Sequence, residues 1–176
     1  MAKIDGNREF LPVNIAVLTV SDTRTLDDDK SGRTLVERIE EAGHVVIDRD
    51  IVKDDQPVIV ERLKKWIADS NVDVVIATGG TGVTGRDITP EAFHEVYDKE
   101  IPGFGELFRM LSYEKIKTST IQSRATGGVA QGTYLFALPG SPGACRDAWD
   151  GILAEQLDSR HRPCNFVELM PRLTEK

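Results

Sequence analysis

Three short stretches of this chain carry the residue types that hold anions. Thr78-Gly79-Gly80-Thr81-Gly82 places glycine at three of four successive positions. Glycine has no Cβ, so such a loop can turn sharply and bring backbone N–H groups against a phosphate. Pro139-Gly140-Ser141-Pro142-Gly143 reads as a helix start, with Ser141 as N-cap and Pro142 as first helical residue. Its free N–H groups and partial positive charge also favour an anion. Ser21-Asp22-Thr23-Arg24 is a third polar loop, set behind an apolar run. Two carboxylates accompany these loops, Asp54 and Asp87. Carboxylates beside phosphates suit Mg²⁺, which takes one or two of them together with phosphate oxygens. Asp55 competes with Asp54, and spacing does not choose between them. Asp54 would equally serve as N-cap of a helix starting near Pro57, and Asp87 as a turn residue. Glu100 and Glu106 flank Pro102-Gly103-Phe104 and could face the same site, and Glu106 would equally serve as a solvated helix residue. Arg24, Arg33, Arg86, Arg109 and Arg124 are cations expected near the same edge.

Other chemistries fit poorly. Gly80-x-Gly82-x-x-Gly85 matches a dinucleotide fingerprint in spacing. That fingerprint follows the first strand and opens directly into a helix, whereas Pro90 at a helix start leaves Arg86 to Ile88 in a loop. No Gly-Lys-Ser/Thr follows, so the loop is not a P-loop. The order Gly-Ser-Pro-Gly around Ser141 is not a nucleophile elbow. His44, His94 and His161 show no metal-ligand spacing, and neither His-Glu-x-x-His nor Cys-x-x-Cys occurs, which argues against zinc.

The elements that must position these residues alternate. Residues 14–20 form a β-branched apolar run suited to a strand covered on both faces. Ser31 is the expected N-cap of a helix carrying Leu35, Val36 and Ile39, which ends at Gly43. Residues 44–52 read as a second strand. Ile59, Leu63, Trp66 and Ile67 share one face of the next helix, and residues 72–77 form a third strand. Thr89-Pro90-Glu91 is a helix start, with Thr89 as N-cap. Phe104, Leu107, Phe108 and Leu111 form a core or interface stripe on a helix beginning near Gly103. Residues 124–138 read as two short strands turning at Gln131-Gly132. A last helix is expected from Ser141 to Leu157, followed by an aperiodic tail. This alternation predicts an α/β three-layer sandwich, with a mostly parallel sheet, helices on both faces and a short antiparallel strand. Ligands of such sheets bind outside the carboxyl ends of the strands, which is where the three polar loops fall.

Composition narrows the partners. The 176 residues suit one domain spanning 1–176, with its core at about 13–157. A net charge of −7 excludes a broad nucleic-acid surface, which needs a basic stripe, and an anionic membrane as main partner. The longest mostly apolar stretch, 13–20, is far short of the roughly 20 residues of a membrane helix. No apolar run follows the charged N-terminus as in a signal peptide. Cys145 and Cys164 make no disulfide framework, and a cytoplasmic location is expected.

Taken in order, four motifs resemble the MoaB/MogA family of molybdenum cofactor biosynthesis proteins. They are Thr-Gly-Gly-Thr-Gly at 78–82, Asp87-x-Thr89-Pro90-Glu91, Glu100-x-Pro102-Gly103-Phe104-Gly105-Glu106 and Leu138-Pro139-Gly140-Ser141-Pro142. Residues 108–112 and 162–166 resemble the MoaB branch. The resemblance implies an α/β sandwich assembled as homo-oligomers, trimers or hexamers, with the tail 158–176 in oligomer contacts. It implies Mg²⁺-dependent transfer of AMP from ATP to the terminal phosphate of molybdopterin, releasing pyrophosphate and supplying a downstream molybdate-insertion protein. It places catalytic and metal-holding roles on Asp54 and Asp87. Binding roles fall on Ser21, Asp22, Thr78, Gly79, Gly80, Thr81, Gly82, Pro139, Gly140 and Ser141. The rival reading is a non-catalytic protein that stores or delivers molybdopterin, needing the glycines but not the aspartates. A nicotinamide oxidoreductase is disfavoured by the misplaced fingerprint.

Overall fold

The computed structural model describes residues 3–175. Its strands are β1 (Lys3–Ile4), β2 (Asn14–Val20), β3 (Val45–Val52), β4 (Val74–Thr78), β5 (Lys99–Glu100), β6 (Thr126–Ala130), β7 (Thr133–Leu138) and β8 (His161–Arg162). Its helices are α1 (Lys30–Glu41), α2 (Gln56–Ile67), α3 (Thr89–Val96), α4 (Pro102–Ile116), α5 (Pro142–Ala148), α6 (Ala154–Gln156) and α7 (Phe166–Leu169). A 3-10 segment, Lys117–Gln122, follows α4, and a π-helical segment, Trp149–Leu153, joins α5 to α6.

The main sheet has the order β3-β2-β4-β7-β6-β5. β3, β2, β4 and β7 are parallel; β6 runs antiparallel to β7, and β5 antiparallel to β6. The two-residue period of a strand sends alternate side chains to opposite faces. Ile15 and Val17 join Leu35, Ile39, Phe104, Phe108 and Trp149 on one side. Ala16, Leu18 and Val20 join Ile59, Leu63, Trp66 and Phe93 on the other. Two cores result, with α1, α4 and α5 over one face and α2 and α3 over the other. The expected three-layer architecture is therefore the observed one. From β2 the chain winds outward to β3, then returns past β2 to β4. The winding reverses between β2 and β4, and ligand crevices of open α/β sheets form at such a reversal.

Several local expectations change. The cap of α1 is Asp29, not Ser31: the Asp29 carboxylate accepts from Gly32 N at 2.9 Å, and Ser31 Oγ donates to it at 3.1 Å. Asp29 is fully buried and also accepts from Thr19 Oγ1 (2.6 Å) and Arg49 Nη2 (3.0 Å). These partners lie on β2 and β3, beyond the reach of a local pattern. Thr89 does not cap α3 with its side chain; it turns to the glycine loop. Of the α4 stripe, Phe104 and Phe108 are buried, whereas Leu107 is 37% exposed. The tail folds back on its own chain: β8 pairs with β1, and the Phe166 ring lies 4.7 Å from that of Tyr134. Among the described residues no helix is long and apolar enough to cross a membrane.

Burial pushes the Asp29 carboxyl up, but its donors, led by Thr19, Gly32 and Arg49, outweigh this and hold it below the ordinary value. Removing one partner of a buried charged pair costs about 3–5 kcal/mol. Asp29→Ala should lose stability on that scale in urea unfolding. The carboxylate contribution is complete above about pH 4 and fades as the pH falls through the lowered folded value. The acid limb of the pH–stability profile should accordingly be shallower in Asp29→Asn than in the wild type.

Candidate active site

Backbone contacts assemble the site. Gly79 follows β4 at φ +107°, and a Cβ there would sit 2.2 Å from the Val20 carbonyl oxygen. The glycine loop thus presses directly on the end of β2, which only glycine permits. The Thr89 hydroxyl donates to Gly79 O at 2.8 Å, and Thr89 N to Gly80 O at 3.0 Å. Thr78 Oγ1 donates to Pro139 O at 2.9 Å, and Gly79 N to Leu138 O at 2.9 Å. These four bonds tie the glycine loop to α3 and to the proline-glycine-serine loop. No acceptor among the described residues bonds the amides of Gly80 or Thr81, so both remain available to an anion.

A cavity of about 680 Å³ opens where the loops meet. One side is Gly80, Thr81, Gly82 and Asp87, and another is Pro139, Gly140 and Ser141. The opposite wall comes from α4, the 3-10 segment and α5, including Phe108, Ser112, Lys115, Arg146 and Asp147. Ser141 does cap α5, accepting from Ala144 N at 3.1 Å, and its hydroxyl proton stays free to donate.

Other expected residues stand outside the cavity lining. Thr78 is buried behind it, and Gly79 forms the contact with β2. Ser21 Oγ accepts from the Thr23 and Arg24 amides of its own loop. Asp22 accepts from Arg86 Nε at 3.2 Å and from its Nη2, and from the Asp54 amide at 3.2 Å. Asp54 lies behind Gly80, whose Cβ position would be 3.0 Å from Asp54 Oδ1. Asp55 caps α2, accepting from Val58 N at 3.2 Å, whereas Asp54 makes no cap bond to that helix. Glu100, Glu106 and Arg109 line a separate depression beside β5, contrary to expectation. β5 pairs with β6 at the far edge of the sheet, with β7 and β6 between it and β4. Arg33 donates to Asp27 O on the surface.

Three acids around the glycine loop, Asp22, Asp54 and Asp87, differ in electrostatic character. Hydrogen bonding to Arg86 lowers the Asp22 carboxyl. For Asp87, burial works upward, but the Thr84 hydroxyl (2.7 Å) and amide (2.8 Å), the Gly82 amide and Arg124 prevail and hold it low. Asp54 goes the other way. Burial raises it, the negative Asp22 adds to this, and Arg86 offsets only part. A half-buried carboxylate crowded by like charges is stabilised by a cation. Among the described residues no three acid, histidine or cysteine groups converge into a metal cage. A cation here would complete its shell with ligand oxygens and water, as Mg²⁺ does at phosphates, so this donor set fits Mg²⁺.

The comparisons agree with this geometry. Residues 16–159 match the family described as "Probable molybdopterin binding domain". The chain is 54% identical over 158 residues to molybdenum cofactor biosynthesis protein B of Escherichia coli (strain K12), covering 90% of this chain and 93% of that protein. The chain belongs to the MoaB/MogA family. A crystal structure of a molybdenum cofactor biosynthesis protein B superposes with a TM-score of 0.86 at 40% identity, covering 96% of this chain and all of the other. The tungsten cofactor synthesizing protein MoaB from Pyrococcus furiosus gives 0.73 at 38% identity, over 82% of this chain and 92% of that one. The family's molybdopterin-binding domain thus spans both the glycine loop and the proline-glycine-serine loop.

Arg124 was one of five cations expected near this edge, but nothing in the spacing assigned it a role, and the α4–α5 wall was not expected. Arg124 Nε donates to Gly82 O and its Nη2 to Asp87 O, each at 2.6 Å, while Nη1 meets Glu91 and the Arg124 amide donates to Thr81 O at 2.9 Å. One guanidinium fork therefore fixes both ends of the loop that presents Asp87. The wall had a faint signal, since Ser112 and Lys115 extend the Phe104–Phe108 face of α4. Arg124→Ala should cost about 1–3 kcal/mol of stability and speed amide exchange across residues 80–88. Arg124→Lys should restore the charge beside Glu91 but not the exchange protection, because an ammonium cannot span three divergent acceptors. Hydrogen-exchange mass spectrometry reads both.

Proposed function

We propose that this protein transfers AMP from ATP to molybdopterin in a Mg²⁺-dependent reaction, releasing pyrophosphate. The observation that carries this reading is the junction of the glycine loop and the proline-glycine-serine loop on one cavity, with Asp54 crowded by like charge behind the glycine loop. A phosphate oxygen of molybdopterin attacks the α-phosphorus of ATP. The new P–O bond forms as the bond to the α–β bridging oxygen breaks, and that electron pair leaves with pyrophosphate. A phosphate monoester is largely ionised at neutral pH, its second pKa being about 6, so no strong base is required. Catalysis then rests on alignment and charge neutralisation. The Gly80 and Thr81 amides hold phosphate oxygens, Ser141 donates to a further one, and Asp54 and Asp87 hold the cation. Mg²⁺ supplies charge neutralisation at the transferring and leaving phosphates. Asp22 keeps Arg86 beside Asp54, and Thr78, Gly79 and Ser21 shape the loops rather than touch ligand. The reading places the protein in the cytoplasm, upstream of a molybdate-insertion protein.

The test is pyrophosphate release from ATP, Mg²⁺ and molybdopterin. Asp54→Asn and Asp87→Asn should each lower kcat by at least about 100-fold. Pterin binding without turnover by the wild type would instead support a storage or delivery protein.

Assembly belongs to the same proposal. Leu107, Met110 and Tyr113 recur along α4 and are 37%, 60% and 49% exposed, with Ile121 continuing the patch. A second copy of the chain covers this face in a trimer or hexamer. Light scattering should show that mass at micromolar concentration, and Met110→Lys should shift it toward monomer.

A further inference from the structure

The phosphate chemistry leaves the α4–α5 wall of the cavity unused. Two carboxylates line the cavity, Asp87 at the glycine loop and Asp147 on α5. Asp147 pairs with Lys115 of α4 across the two helices. Its side chain is 18% exposed, whereas that of Lys115 is 64% exposed. The carboxylate is thus set into the wall, and the ammonium reaches it from solvent on a flexible stem. Phe108, fully buried, and Ile116 give this part of the cavity apolar surface, and Ser112 adds a hydroxyl.

We propose that Asp147 is the specificity-determining residue for the pterin: it reads the 2-amino-4-oxopyrimidine edge, with Lys115 on the 4-oxo group. The inference rests on the molybdopterin reading of this cavity and extends it to a named residue. The pterin edge presents two adjacent donors, the 2-amino N–H and N3–H, beside one acceptor, O4. A carboxylate offers two adjacent acceptors and matches that donor pair with two parallel hydrogen bonds. Lys115, three donors on a mobile stem, can remain beside Asp147 and turn a proton to O4. The pteridine ring is flat, and its faces suit the apolar surface of Phe108 and Ile116. Adenine is a poor match, because its 6-amino donor adjoins the N1 acceptor. A carboxylate oxygen would then oppose a nitrogen lone pair. The wall therefore selects the pterin over the adenine of ATP and orients the pterin's far end toward the phosphate loops.

The test uses fluorescence titration of the full chain with 6-hydroxymethylpterin and with 6-hydroxymethyllumazine, which carries oxygen in place of the 2-amino group. Wild type should bind the pterin at least about 10-fold more tightly, the worth of one charge-assisted hydrogen bond. Asp147→Asn should lose that preference while keeping its thermal midpoint and its affinity for ATP. Asp147→Glu should retain part of the preference. Equal binding of the two probes by wild type, a preference that survives in Asp147→Asn, or no saturable binding of the pterin would each overturn the proposal. Because this readout needs no turnover, it stands apart from pyrophosphate release. Loss of the catalytic reading alone would leave the pterin preference intact.

Discussion

The site depends on one close backbone contact. Where β4 ends, Gly79 meets the carbonyl of Val20 at a distance no side chain would allow. That contact brings the loop after β4 over the end of β2 at the point where the sheet's winding reverses. From there the hydrogen bonds of Thr78, Gly79 and Thr89 fasten it to the loop after β7 and to α3. Any Cβ at Gly79 would separate β2 from β4 or lift the loop off the cavity. The parallel sheet supplies the scaffold, but this contact turns several strand ends into one concave surface.

A net charge of −7 and an anionic ligand are reconciled at this scale. Fixed backbone amides, which do not enter the residue count, add positive potential at the loops, beside Lys115 and Arg146 in the cavity lining. Side-chain cations near the loops are largely committed: Arg86 to Asp22, Arg124 to Gly82, Asp87 and Glu91, and Arg49 to Asp29. They organise acids and carbonyls rather than reach for substrate. Asp54 is the exception on the acid side: burial raises its pKa, the negative Asp22 adds to this, and Arg86 offsets only part. Under the proposed function, this arrangement would suit a divalent cation that arrives with phosphate.

The cavity also separates two kinds of recognition. On the loop side the groups are backbone amides and carboxylates, suited to phosphates of any nucleotide or pterin. On the helix side Asp147, Lys115, Ser112 and Phe108 form a mixed polar and apolar surface that can distinguish ring edges. α4 contributes to the core, to this wall and to the exposed apolar patch at once. Assembly through that patch would therefore rest on the same helix that shapes the ligand wall.

Much of this was determined by sequence alone. The unbroken apolar run of β2 against the three-and-four spacing in α1, α2 and α4 sufficed for the three-layer architecture, because burial on both faces of a sheet leaves a local trace. Glycines at 79, 80 and 82, and Ser141 ahead of Pro142, marked loops whose backbone could face an anion. What only tertiary structure decided involved partners distant in the chain. Asp29 rather than Ser31 caps α1 because Thr19 and Arg49 of neighbouring strands hold its carboxylate. Asp55 rather than Asp54 caps α2. Thr89 leaves its helix to clamp the glycine loop. Glu100 and Glu106 fall beside β5, across the sheet from the cavity they could have faced. Residue type and spacing set which local structures are possible; the packing of distant strands decides which polar group each one receives.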